Sequence, residues 1–369
     1  MNSNAVLLLA NAGVASSLIF IPNFARDAGA TEGQIGVIFA VHSLAALLAS
    51  FACGRLADVR GRRRVHQAGL LLSVAAAAVQ VLAFEPVTIG LSRAFLGLAL
   101  GMYPGALVAY AYEARERMGR FTAYGSVGWA MGNLLAGVLA VFYPQQFVLV
   151  FAGSSALFLL AGLSALRLPA AEETMIAVPA FPVAVLRRNL PVYATMLLRH
   201  TGANMIWVIF SLYLQDARGF AYWEIGLVTA VNPIVQAIIS RQLDHVRSTA
   251  LIPVGVVLSA VVFVLFALAT DVPQMILAQA LLGVSWATLF VGCLKFVTEH
   301  NTERATAAGL LASTTTLASI LGPLAGGVIS LAYGHTAAMY AAAGMCGLAL
   351  AAYLWAFRDG RAVPSGAAP

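Results

Sequence analysis

Charge is what this chain has least of. Only 10% of its 369 residues are Asp, Glu, Lys or Arg, too few to coat a water-soluble fold of this size. Lysine occurs once, as Lys295, and cysteine three times, at Cys53, Cys293 and Cys346. Those thiols fall within or at the edge of apolar runs, so they read as packing residues and not as a disulfide framework. The six histidines are scattered without metal-ligand spacing. No Gly-rich phosphate loop carries its lysine, and no nucleophile has its base at a recognisable spacing. No metal, cofactor, ATP-driven step or enzymatic activity is expected. Carboxylates are missing from the middle of every long apolar run: Asp27, Glu32, Glu85, Glu113, Asp216, Glu224, Asp244, Asp271 and Glu299 all fall near run edges or in loops.

What the chain does have is apolar length. Hydrophobic residues make up 61% and the mean hydropathy is +0.87, the balance of an integral membrane protein. Twelve runs approach the ~20 residues a spanning helix needs. They lie near 5–25, 33–53, 65–84, 86–112, 120–143, 145–167, 190–214, 222–240, 249–270, 273–297, 304–333 and 336–357. They are too long, and too little alternating, for the strands of a membrane barrel. The first run lacks a basic leader and a small-residue cleavage site, so it is expected to remain as a helix.

The net charge of +6 is a matter of topology. In a twelve-span arrangement the arginines of 55–64, 115–120, 167, 187–188, 241–247, 304 and 358–361 share one side, and only Arg26 and Arg218 fall in loops on the other. By the positive-inside rule both termini and the 168–189 loop are expected in the cytoplasm, in a multi-pass plasma-membrane protein. The basic excess then implies attraction to anionic lipid and gives no reason to expect nucleic acid.

The longest polar interruption separates two similar halves. QIGVIFAVHSL (34–44) matches EIGLVTAVNPI (224–234), RAFLG (93–97) matches QALLG (279–283), and GNLLAGVL (132–139) matches GPLAGGVI (322–329). Asp58 pairs with Asp244, Glu113 with Glu299, and RFTAYG (120–125) with RATAAG (304–309). A repeat of this kind places a binding site between the halves, with transport by rocking one against the other. The expected organisation is all-α: an N-terminal six-helix bundle (1–167), a cytoplasmic linker (168–189), a C-terminal six-helix bundle (190–357) and a short tail (358–369).

GRLADVRGRRR (54–64), between the second and third runs, resembles the loop motif of the major facilitator superfamily. Arg93, Gly97 and Gly101 look like that superfamily's fourth-helix motif, and Glu113 with Arg120 like its next loop. The resemblance covers nearly the whole chain and implies twelve helices and secondary transport by alternating access. It implies a gate latch at Asp58, with Gly54, Gly61, Arg62, Glu113 and Arg120 around it. Asp244 and Arg304 are the weaker second-half counterparts, since RQLDHVRSTA keeps the acid but loses the glycines and the basic run.

Ionisable side chains at membrane depth are functional candidates. His42, Arg93, Arg199 and His200 are such residues. On the seventh run His200, Asn204, Trp207 and Ser211 share a helical face, and Tyr103 lies on the fourth. Asn11, Asn133, Asn232 and Gln236 add neutral hydrogen-bonding groups. Two readings of the cargo stay open: a drug or metabolite efflux carrier, with protons as candidate coupling ion through the histidines, or a carrier of small organic anions resting on Arg93 and Arg199. GPLAGG (322–327) resembles the efflux branch's antiporter motif, yet it stands on the eleventh run where that motif belongs on the fifth. A non-transporting receptor ranks below both for want of an output domain.

Overall fold

The computed structural model describes residues 3–114, 118–142, 147–169, 183–243, 245–301 and 304–358. Their secondary structure is helical, with no strand among them. We number the crossings α1 (Ser3–Ile19, continued by Ile21–Asp27), α2 (Glu32–Arg60), α3 (Arg62–Val79), α4 (Pro86–Met102, continued by Pro104–Glu113), α5 (Met118–Phe142) and α6 (Val148–Leu166). The second half has α7 (Leu190–Trp207), α8 (Tyr222–Ile239), α9 (Ser248–Leu268), α10 (Val272–Glu299), α11 (Arg304–Tyr333) and α12 (His335–Phe357). Among the described residues eleven of these twelve helices are long and apolar enough to cross a membrane; the exception is α7, which stops at Trp207.

Two of the expected runs are broken. The fourth bends at Tyr103, because Pro104 has no N–H to give and its ring crowds the carbonyl of the preceding turn. The seventh stops at Trp207, resumes over Phe210–Leu212 and ends in a π-helical turn, Tyr213–Ala217. That turn is fastened sideways: the Tyr213 hydroxyl donates to the Phe266 carbonyl at 2.8 Å, and Arg218 Nε donates to the Tyr213 oxygen at 2.8 Å.

Elsewhere the ends follow local chemistry. Thr31 caps α2 in a reciprocal box with Gln34, and Asp271 caps α10 by accepting from the Gln274 N–H at 2.8 Å, each satisfying orphan N–H groups. Gly61 joins α2 to α3 at φ 98°, a conformation that costs an L side chain strain. Between helices in lipid there is little hydrophobic drive, so close packing over small residues supplies the contact. A Cβ built on Gly97 would overlap the His42 carbonyl, and one on Gly128 the Leu8 carbonyl, tying α4 to α2 and α5 to α1. The halves meet through two antiparallel pairs, α5 with α8 and α2 with α11.

Candidate functional site

Both cross-half pairs touch at the end away from the arginine-rich loops. A Cβ on Gly36 of α2 would overlap the Pro323 carbonyl of α11, and one on Gly327 would come 2.5 Å from the Glu32 carbonyl. In the other pair a Cβ on Gly137 would sit 2.9 Å from Gly226 Cα and from the Tyr222 carbonyl. Asn133 Nδ2 reaches the Thr229 carbonyl at 3.1 Å.

Side chains seal the same end. Arg26 pairs with Asp216 on the π-helical turn and bonds Gln215 Oε1 at 3.2 Å. Asn23 Nδ2 donates to Gln215 Oε1 at 2.5 Å, and Gln215 Nε2 donates to the Tyr222 hydroxyl at 2.8 Å. Tyr222 stands edge-on to Phe20 (5.2 Å) and Phe147 (5.4 Å), rings of the first half. On the other flank His335 Nε2 and Glu32 Oε1 are 2.9 Å apart, with Gly334 at φ 85° turning the chain to start α12 at His335. The sequence reading did not select Asn23, Gln215, Glu32 or His335 for this role. Their contacts join residues 192 and 303 positions apart, and no local pattern announces such pairs.

Toward the arginine-rich end the same helices part. Gly54 lies eighteen residues beyond Gly36, and Gly309 eighteen before Gly327, five turns in each case and so on the same helix faces. A Cβ built on either would meet nothing within 4 Å. Between α5 and α8 a cleft of about 430 Å³ opens, lined by Ala123, Val127, Ile234, Ala237, Ile238, Arg241 and Gln242.

The candidate gating residues belong to this open end. Asp58 lies in the last turns of α2, Glu113 ends the helix after Pro104, and Arg304 begins α11; their side chains, and Asp244 altogether, lie outside the described residues. Arg62 opens α3 after Gly61. Arg120 is exposed, with NH2 3.4 Å from the Tyr124 hydroxyl and its guanidinium 5.6 Å from that ring.

At mid-depth the two arginines are buried, each 2% exposed, and each within its own half. Arg93 donates to the Ser17 carbonyl (3.4 Å) and to Gln80 Oε1 (3.2 Å). Its own carbonyl holds His42 Nδ1 at 2.8 Å, fixing α2 to α4. Tyr103 is buried in the first half's core. Arg199 donates from Nε to Ser259 Oγ at 2.7 Å, and its guanidinium lies 5.1 Å from the Trp286 ring and 5.5 Å from Phe263. His200 stacks on Trp286 at 4.9 Å. Asn204 bonds back to the His200 carbonyl at 2.9 Å, Trp207 packs on Phe210 and Phe266, and Ser211 is buried beyond the helix break. Asn232, half-buried on α8, has an Oδ1 without a partner. Trp286 and Phe290 were absent from the sequence reading, because an apolar run is full of aromatics and nothing local distinguishes these two.

Two pseudo-equivalent bundles, closed at one end and parted at the other around buried polar groups, define a membrane transporter of the rocking type. The Major Facilitator Superfamily model matches residues 5–191 and again 192–369, and the chain belongs to that superfamily. It is 25% identical over 374 aligned positions to the multidrug resistance protein MdtG of Salmonella paratyphi A, covering 93% of this chain and 91% of the relative. It is 22% identical to the quinolone resistance protein NorA of Staphylococcus aureus, with 86% of each covered. Among solved structures it superimposes on a point mutant of the nucleoside transporter NupG with TM-score 0.82 at 15% identity, covering 96% of this chain and 98% of that one. A bacterial homologue of the human lysosomal transporter Spinster gives 0.81 at 14%, with 98% of each chain covered. The relatives are named as drug-resistance proteins and the solved neighbours as transporters or a homologue of one.

Proposed function

We propose that this protein exports small organic solutes across the plasma membrane, taking them up at the arginine-rich mouth and releasing them at the other. The observation that carries the reading is the pair of register-matched contacts on α2 and α11: the helices overlap at Gly36 and Gly327 and stand apart at Gly54 and Gly309. A rigid rock of one half against the other exchanges the closed and open ends. The arginine distribution supports a cytoplasmic position for the open mouth, both termini and the 168–189 linker. Export agrees with the named activities of the relatives, MdtG in multidrug and NorA in quinolone resistance. Protons are the proposed coupling ion, with His42 and His200 as the candidate mid-depth carriers. Asp58, with Glu113 and Arg120, is proposed to latch the cytoplasmic mouth when it shuts.

The test is labelling of single cysteines by an impermeant thiol reagent, in a background without Cys53, Cys293 and Cys346. A cysteine at Ala123 should react from the cytoplasmic side and one at Asn133, which contacts Thr229 across the closed seam, should be protected from both sides. Adding transported substrate should raise labelling of the second from outside. Labelling of both positions that ignores substrate would overturn alternating access. A second reading, export of organic anions, is favoured by one atom: Arg199 NH2 is buried without a hydrogen-bond partner.

A further inference from the structure

The chemistry of the α7 and α10 interior narrows the cargo, and the inference rests on the carrier reading above. From 191 to 207 on α7, and from 278 to 298 on α10, no residue is exposed. Both helices are packed among their neighbours, and some of their side chains keep partial access. On α7 these include Leu197, His200, Asn204 and Trp207, a stripe at i, i+3, i+7 and i+10; on α10 they include Trp286 and Phe290, one turn apart. The rings make a ladder. His200 stacks on Trp286 at 4.9 Å and 27°, and Trp286 on Phe290 at 5.3 Å and 26°.

Against this ladder sits a cation. The Arg199 guanidinium is 5.1 Å from the Trp286 ring, anchored by Ser259, whose hydroxyl is itself tied to Ser285 at 2.6 Å. Its NH2, like His200 Nδ1, is buried without a partner. No ion pair to Arg199 exists among the described residues, whose acidic members all stand at helix ends or in loops. Aromatic faces and one hydroxyl stabilise the guanidinium only in part. The net positive potential that remains acts through a low-dielectric interior, where charge is felt strongly.

We propose that this wall selects planar aromatic anions, a carboxylate or sulfonate on a fused or conjugated ring. The ring lies along the His200, Trp286 and Phe290 ladder, and the anionic group turns toward Arg199 and His200. Aromatic cations are disfavoured, since the π face that would hold them already holds Arg199. Arg93 contributes no such selection, because its guanidinium donates to Ser17 and Gln80 within the first half.

Equilibrium binding to the purified, full-length transporter tests this with one ring in three charge states: 1-naphthoate, 1-naphthamide and 1-naphthylmethylammonium, with cyclohexanecarboxylate as the non-aromatic anion. Naphthoate is expected to bind at least tenfold more tightly than the other three. Arg199→Gln should lower naphthoate to the level of naphthamide and leave naphthamide binding in place, which certifies the fold. Arg199→Lys should keep the anion preference. Trp286→Leu should weaken naphthoate and naphthamide alike while leaving cyclohexanecarboxylate unchanged. Equal binding of the ammonium and the carboxylate by the native protein, or an undiminished preference in Arg199→Gln, overturns the proposal. So does failure of all three naphthalene compounds to bind while substrate-dependent cysteine labelling persists, an outcome that leaves the carrier reading standing.

Discussion

Glu32 and His335 meet at 2.9 Å although one begins α2 and the other begins α12. With Arg26 and Asp216 on the opposite flank, they bracket the closed mouth with one charge-bearing contact on each side. Neither pair is deeply buried: side-chain exposure is 34% and 44% for Arg26 and Asp216, where such pairs contribute roughly 0.2–1 kcal/mol. Latches of that size hold a mouth and still release it.

The first prediction follows from that magnitude. Asp216→Asn or Glu32→Gln should raise the population with this mouth open by about 1.4- to 5-fold each, the range that 0.2–1 kcal/mol spans. Spin labels at Val87 and Leu277, exposed positions of the two halves, would report it as growth of a longer distance. A change of a hundredfold, or none in the double variant, would show that other contacts set the closure.

The glycine registers give a second prediction with opposite signs. Gly36→Leu must push α11 away and should favour opening of the now-closed mouth. Gly54→Leu meets nothing in this state and should leave it intact while preventing closure at the arginine-rich end. Both variants should lose transport, yet the Val87 to Leu277 distance should lengthen in the first and become fixed and short in the second. Identical distance distributions would contradict the rocking geometry.

A third concerns the anchor of Arg199. Ser259→Ala removes the acceptor at 2.7 Å from Nε and leaves a buried cation short of a hydrogen bond, a loss of about 1.5–3 kcal/mol for a charged group. A lower midpoint for thermal unfolding in detergent is expected, with aromatic-anion binding weakened because the guanidinium is free to turn. Unchanged stability and binding would mean that the aromatic contacts alone hold it.

The fourth tests the cytoplasmic latch. Asp58→Asn should slow transport without altering insertion, and it should leave the Val87 to Leu277 distance of the present state unchanged, because Asp58 lies near the parted ends of α2 and α11. Transport at the native rate would remove the latch role.

How much of this was legible in advance differs by feature. The helical class follows from local composition, because a bilayer forces every backbone polar group to be satisfied within its own segment, and the twofold repeat and superfamily resemblance from motifs such as GRLADVRGRRR at 54–64. Of the expected stripe, His200, Asn204 and Trp207 share one helix, a period within one segment, whereas Ser211 falls beyond the break. The breaks at Tyr103 and after Trp207 divide: Pro104 signals the first, whereas the second depends on Tyr213 reaching α9 and has no mark in its own segment.

The sequence by itself determined that this is a two-half helical membrane protein with buried arginines and no mid-depth acid, since those are properties of single segments and of their order. Only the tertiary structure decided which mouth is shut, that Arg26 faces Asp216 and Glu32 faces His335, and that Arg199 lies against Trp286 while Arg93 is held by Gln80. Each of these is a contact between side chains from different helices. Its existence depends on how the helices lean, and the lean is set by packing summed over whole faces, which no single stretch of residues encodes.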